Sequence, residues 1–98
     1  MKAKRHYEEW DLNECLFFIN TYLDNYKNRD HTLLIEQIAS ELQRTYAAIK
    51  LRTKEVVGIL TDKQKGIYNI TPNMIKAIDI ISEQRQISKS KILIAFDD

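Results

Sequence analysis

Ninety-eight residues are enough for one domain with a single modest core, and the expectation is one domain over residues 1–98. A hydrophobic fraction of 44% beside 30% charged residues excludes a disordered chain, and two glycines with one proline leave little material for hairpins, so an all-α fold is expected. The formal charge of +1 excludes binding to nucleic acid by bulk positive charge; such binding would need a local basic patch.

Residues 1–8 carry Lys2, Lys4 and Arg5 and read as a flexible basic arm, either disordered or tracking a phosphate backbone or a minor groove. Met1 to His6 is polar and no long apolar run follows, so no signal peptide is visible, and nothing approaches a membrane span of about 20 apolar residues. A cytoplasmic location is the expectation. The first helix is predicted to begin after Trp10, because Asp11 and Glu14 stand at the spacing of a capping box. Leu12, Cys15, Leu16, Phe18, Ile19, Tyr22, Leu23 and Tyr26 then recur at helical spacing, with Phe17 off the stripe. Trp10 and these aromatics read as core. Cys15, alone in the sequence, reads as a reduced core thiol.

Asn25 to Asp30 reads as a loop, with Asp30 or Thr32 able to cap a second, short amphipathic helix built on Leu34, Ile35, Ile38, Ala39 and Leu42. The stretch Ile38–Leu60 organises the chain. A polar break at Gln43 and Arg44 is too short for anything but an abrupt change of direction, and Thr45 is placed to cap a third helix. Two helices joined so tightly make a helix-turn-helix, whose second helix can lie in a major groove. At about 100° per residue, Ala48, Ile49, Val56, Ile59 and Leu60 share one face of that helix with Arg52 at its middle. Tyr46, Ala47, Lys50, Thr53, Lys54 and Val57 take the opposite face, either as a surface for phosphates and base edges or as a solvated helix face. Arg44 to Lys65 supplies the local basic patch, with Arg44, Lys50, Arg52, Lys54, Lys63 and Lys65 against Glu55 and Asp62.

Thr61 to Asn69 reads as a charged loop in which Gly66 is the site for a positive φ angle and Ile67 and Tyr68 tuck back onto the core. Thr71-Pro72 starts a fourth helix, with Thr71 as its N-cap and Pro72 at the first helical position, Met74, Ile75, Ala77, Ile78 and Ile81 as its apolar stripe and an end near Gln84. The tail from Ile87 to Phe96 reads either as a short helix capped at Ser88 or Ser90 or as a β-rich segment. Ile92, Leu93, Ile94 and Phe96 need burial, in the chain's own core or on a partner; a two-fold homodimer through these residues is the expectation.

Trp10, Glu14, Ile38-Ala39, Leu42, Arg44-Thr45, Ala48-Ile49 and Arg52 resemble the signature of Myb/SANT-like helix-turn-helix domains. The run through Gly66, Ile67, Thr71 and Met74 is similar to a Myb-like module found ahead of HNH endonuclease domains in some bacterial and phage proteins. The likeness covers roughly Glu9 to Ile81 and departs from the Myb pattern in carrying only Trp10 of its spaced tryptophans. It implies a small helical bundle: a helix-turn-helix core over 9–60, with a fourth helix and a C-terminal segment in 61–98. It also implies an ion pair between Glu14 and Arg52, and a third helix that reads duplex DNA. The residues expected to meet DNA are Arg44, Thr45, Tyr46, Ala47, Lys50, Thr53 and Lys54.

His6 and His31 have no Cys, Asp or Glu partner at metal-ligand spacing and fall in segments read as flexible, and no phosphate loop or nucleophile motif occurs. No enzyme, metal or cofactor is therefore expected. Two functions stand side by side. One is a small DNA-binding transcriptional regulator of bacterial or phage type; the other is a protein-interaction module, or a phage or mobile-element inhibitor, using the same scaffold without DNA.

Overall fold

Asp11 opens the first helix through the box read in the sequence: its Oδ1 accepts from the Glu14 N–H at 2.7 Å, and Glu14 Oε1 accepts from the Asp11 N–H at 3.2 Å. That helix, α1, spans Leu12–Asn25 in a computed structural model that describes residues 9–61 and 71–97. Asp30 caps α2 (His31–Leu42) by accepting from the Leu33 N–H at 3.0 Å. Thr45 caps α3 (Tyr46–Thr61) by accepting from the Ala48 N–H at 3.0 Å. Pro72 stands at the start of α4 (Pro72–Arg85), and Ser88 caps α5 (Lys89–Phe96). The described residues thus form a small all-α bundle of five helices, with no strand among them and no helix long and apolar enough to cross a membrane.

Two helices stop without glycine. Gln43 (φ 56°) and Gln86 (φ 53°) take the left-handed conformation, and in each case the next N–H reaches back across the last turn. Arg44 N donates to Ala39 O at 3.0 Å, and Ile87 N to Ser82 O at 3.1 Å. These closures satisfy carbonyls that the helix end would otherwise leave open and outweigh the Cβ crowding at each glutamine. Gly66, which the sequence offered for a positive φ, lies outside the described residues, as do residues 1–8, Lys63, Lys65, Ile67 and Tyr68.

Helix α1 packs on α4, and α3 packs against both α2 and α5. Aromatic rings run through the core. Trp10 meets Phe18 edge-on at 5.7 Å, Phe18 meets Tyr22 at 6.0 Å, and Phe96 stacks on Tyr22 at 4.2 Å between centroids. The tail is therefore a helix, and its apolar run divides. Ile92, Ala95 and Phe96 are buried in the chain's own core, Leu93 is half-buried, and Ile94 stands 64% exposed. Two of the four residues expected to make a dimer contact, Ile92 and Phe96, are occupied inside the chain. His31 is likewise not in a loose segment: it is the first residue of α2, and its Nδ1 hydrogen-bonds the buried Tyr22 hydroxyl.

Candidate nucleic-acid interface

The exposed residues of α3 are Tyr46, Ala47, Lys50, Leu51 and Lys54, all between Tyr46 and Lys54. The helix repeat of about 3.6 residues sets Tyr46, Lys50 and Lys54 one above another, with Ala47 and Leu51 beside them. The single acid of α3, Glu55, is buried, so the exposed strip carries positive charge only. The amino end of the helix adds the partial positive charge of its free N–H groups.

Three of the seven residues expected to meet DNA serve the scaffold instead. Arg44 is buried, because the turn aims it inward at α1. Its Nε and Nη2 donate to Glu14 Oε2 and Oε1, each at 3.0 Å, and Nη2 also donates to Glu9 O at 3.1 Å. The guanidinium lies over the Trp10 ring, 4.6 Å from its centroid. Thr45 is half-buried and acts as the cap of α3. Thr53 is buried, its hydroxyl donating to Lys50 O at 2.6 Å, because α3 is covered on that side by its neighbours. Tyr46, Ala47, Lys50 and Lys54 remain on the surface as expected. Leu51, 44% exposed, joins them; it sits at the border between the two faces, where helical angle alone does not assign it.

The ion pair implied between Glu14 and Arg52 is not formed. Glu14 is held by Arg44, and Arg52 Nη1 lies 2.9 Å from Glu55 Oε1, one turn along its own helix, while donating to Thr71 Oγ1 at 2.5 Å. The arginine at the turn reaches the acid on α1, whereas Arg52 lies further along α3 and faces the start of α4. Glu55 Oε2 accepts the Thr71 N–H, so this carboxylate caps α4, whose own Thr71 side chain makes no cap bond. Oε1 is close to Arg52 yet has no aligned donor, and desolvation by burial is the main reason the Glu55 carboxyl is raised above its ordinary 4.5. Burial, with Glu55 and Glu14 nearby, also pushes the Cys15 thiol up to about 12, which marks it as core rather than a reactive group.

The exposed strip is therefore anchored twice. The Trp10–Arg44–Glu14 cluster fixes the turn before α3, and the Arg52–Glu55–Thr71 cluster ties α3 to α4. Among the described residues no group of three His, Cys, Asp or Glu side chains is placed to hold a metal ion. Searches against family models, curated proteins and solved structures return no significant match.

Proposed function

We propose that this chain is a small duplex-DNA-binding protein, a transcriptional regulator of bacterial or phage type acting in the cytoplasm, that lays the Tyr46–Lys54 part of α3 in the major groove. The observation that carries this reading is the acid-free exposed strip Tyr46–Ala47–Lys50–Lys54 on a helix entered through a tight turn. Lys50 and Lys54 would meet phosphates, and Tyr46 and Ala47 stand at the end of the helix that enters such a groove first. Arg44, Thr45 and Thr53 serve the scaffold and are withdrawn from the contact set.

Fluorescence anisotropy with random duplex DNA over a range of salt tests this. Affinity should fall steeply with salt, and Lys50→Ala with Lys54→Ala should flatten the log–log slope by about two, since each phosphate neutralised contributes about 0.9. Tyr46→Ala should change sequence preference rather than the slope. Absence of binding at low salt, or a slope untouched by the double substitution, would count against α3 as the reading helix.

One observation favours the second reading, a protein-interaction module. Leu51 is 44% exposed at the border of the strip and Tyr46 37% exposed, and large apolar groups left on the surface suit a protein partner better than phosphates. Leu51→Ser would weaken a protein contact and leave the salt slope for DNA unchanged. A two-fold dimer through the tail would have to rest on Ile94 and the accessible part of Leu93.

A further inference from the structure

A groove of about 560 Å³ lies where the C-terminal end of α1 meets the α4–α5 elbow. Its size is within the range of roughly 300–1,000 Å³ usual for ligand sites. Leu23, Tyr26 and Ile87 line it, half-buried and packed on the core, and give it an apolar floor. Lys27 and Lys91 also line it and are exposed. Neither lysine pairs with a carboxylate among the described residues, whereas the third cation of the groove, Arg85, is held by Asp24 at 2.9 Å and by Asn20 Oδ1 at 2.8 Å.

The walls are tied in place by bonds that no ligand has to form. Arg85 clamps the end of α4 to α1. Ile87 is fixed by its N–H to Ser82 O at 3.1 Å and by the Ser82 hydroxyl donating to Ile87 O at 2.7 Å. An apolar floor edged by two exposed cations that have no carboxylate partner among the described residues is complementary to an apolar side chain flanked by carboxylates.

We propose that this groove docks an acidic, partly apolar peptide segment of a partner protein, with carboxylates at Lys27 and Lys91 and an apolar side chain over Leu23 and Ile87. Nucleic acid fits less well. Asp24 also lines the groove, but it is paired with Arg85 at 2.9 Å and does not separate a carboxylate ligand from a phosphate. Lys27 Nζ stands 5.8 Å from the Tyr26 ring centroid and takes up one face on which a base would stack. The proposal uses residues outside α3 and does not depend on the DNA reading.

The test uses the intact chain and a short fluorescein-labelled peptide in which Glu and Asp alternate with Leu and Phe. Saturable binding is expected, about ten-fold weaker in Lys27→Glu/Lys91→Glu, which reverses two exposed charges, and unchanged in Lys50→Glu/Lys54→Glu. Methyl resonances of Leu23 and Ile87 should shift on titration. Circular dichroism of the charge-reversed chain checks that it is folded, since both positions are exposed. No binding at high micromolar peptide, or equal binding by the charge-reversed chain, overturns the proposal. So does binding of oligo(dT), but not of the peptide, that is abolished on reversing Lys27 and Lys91; the groove would then belong to single-stranded nucleic acid.

Discussion

Arg44 meets Glu14 with two parallel hydrogen bonds of 3.0 Å across 30 residues of sequence, both groups out of solvent. The pair joins the turn before α3 to the first turn of α1. Desolvating two charges is costly, so the net worth of such a pair is modest, but removing one partner leaves the other buried and uncompensated. Glu14→Gln or Arg44→Met should therefore cost about 3–5 kcal/mol in urea unfolding. Arg44→Lys should also destabilise, since an ammonium cannot reproduce the two-pronged contact or lie flat on Trp10. Arg52→Met should cost less, because Arg52 retains some solvent contact and leaves Glu55 able to take up a proton. Equal losses at positions 44 and 52 would show that the two arginines are equivalent after all.

Glu55 predicts a pH dependence. Its folded-state value is raised, mainly by desolvation, while the Thr71 N–H and Arg52 pull it down. The folded chain therefore holds this proton more tightly than the unfolded chain does. The stability gained from protonation is fully present below the ordinary value of 4.5 and is lost as pH rises through the folded value. Glu55→Gln removes the buried charge and keeps an acceptor for the Thr71 N–H. The difference in Tm, variant minus wild type, should be largest near neutral pH and shrink toward acid. A difference that grows on acidification would contradict the raised carboxyl.

The tail makes a sharp contrast between neighbours. Phe96 is buried against Phe18 and Tyr22, so Phe96→Ala should cost about 3–5 kcal/mol. Ile94→Ser, two residues away and exposed, should change monomer stability by less than about 0.5 kcal/mol. If Ile94 also holds two chains together, sedimentation of Ile94→Ser will show a smaller species than the parent at the same concentration. A large stability loss from Ile94→Ser together with a small one from Phe96→Ala would invert the placement of α5.

The two left-handed glutamines give a stabilising prediction. Gln86 carries a Cβ at φ 53°, where only glycine is free of crowding. Gln86→Gly should raise stability by up to about 1 kcal/mol, the relief of crowding being partly offset by the greater freedom of glycine in the unfolded chain. The same change in a helix interior would destabilise. Hence a loss of stability in Gln86→Gly would mean that the glutamine side chain has a role of its own.

What the sequence alone determined were the features set by short offsets along the chain. The Asp11–Glu14 box and the Thr45 cap each start a helix where read, because a cap joins groups two or three residues apart whatever surrounds them, and Pro72 starts α4 through its own fixed φ although the Thr71 side chain makes no cap bond. The apolar stripe of α1 and the exposure of Tyr46, Lys50 and Lys54 follow equally from the helical repeat. Partners distant in sequence were decided by the tertiary structure. Arg44 and Arg52 are both basic and both near the turn, and spacing does not say which reaches Glu14; the packing of α1 against the turn does. Thr53 lay on the polar face by angle, but the helices around α3 cover it. Ile92 to Phe96 is five apolar residues long, too short for periodicity to choose helix or strand. The slot beside Phe18 and Tyr22 decided it, since a helix places Ile92, Ala95 and Phe96 on one buried side and turns Ile94 to solvent.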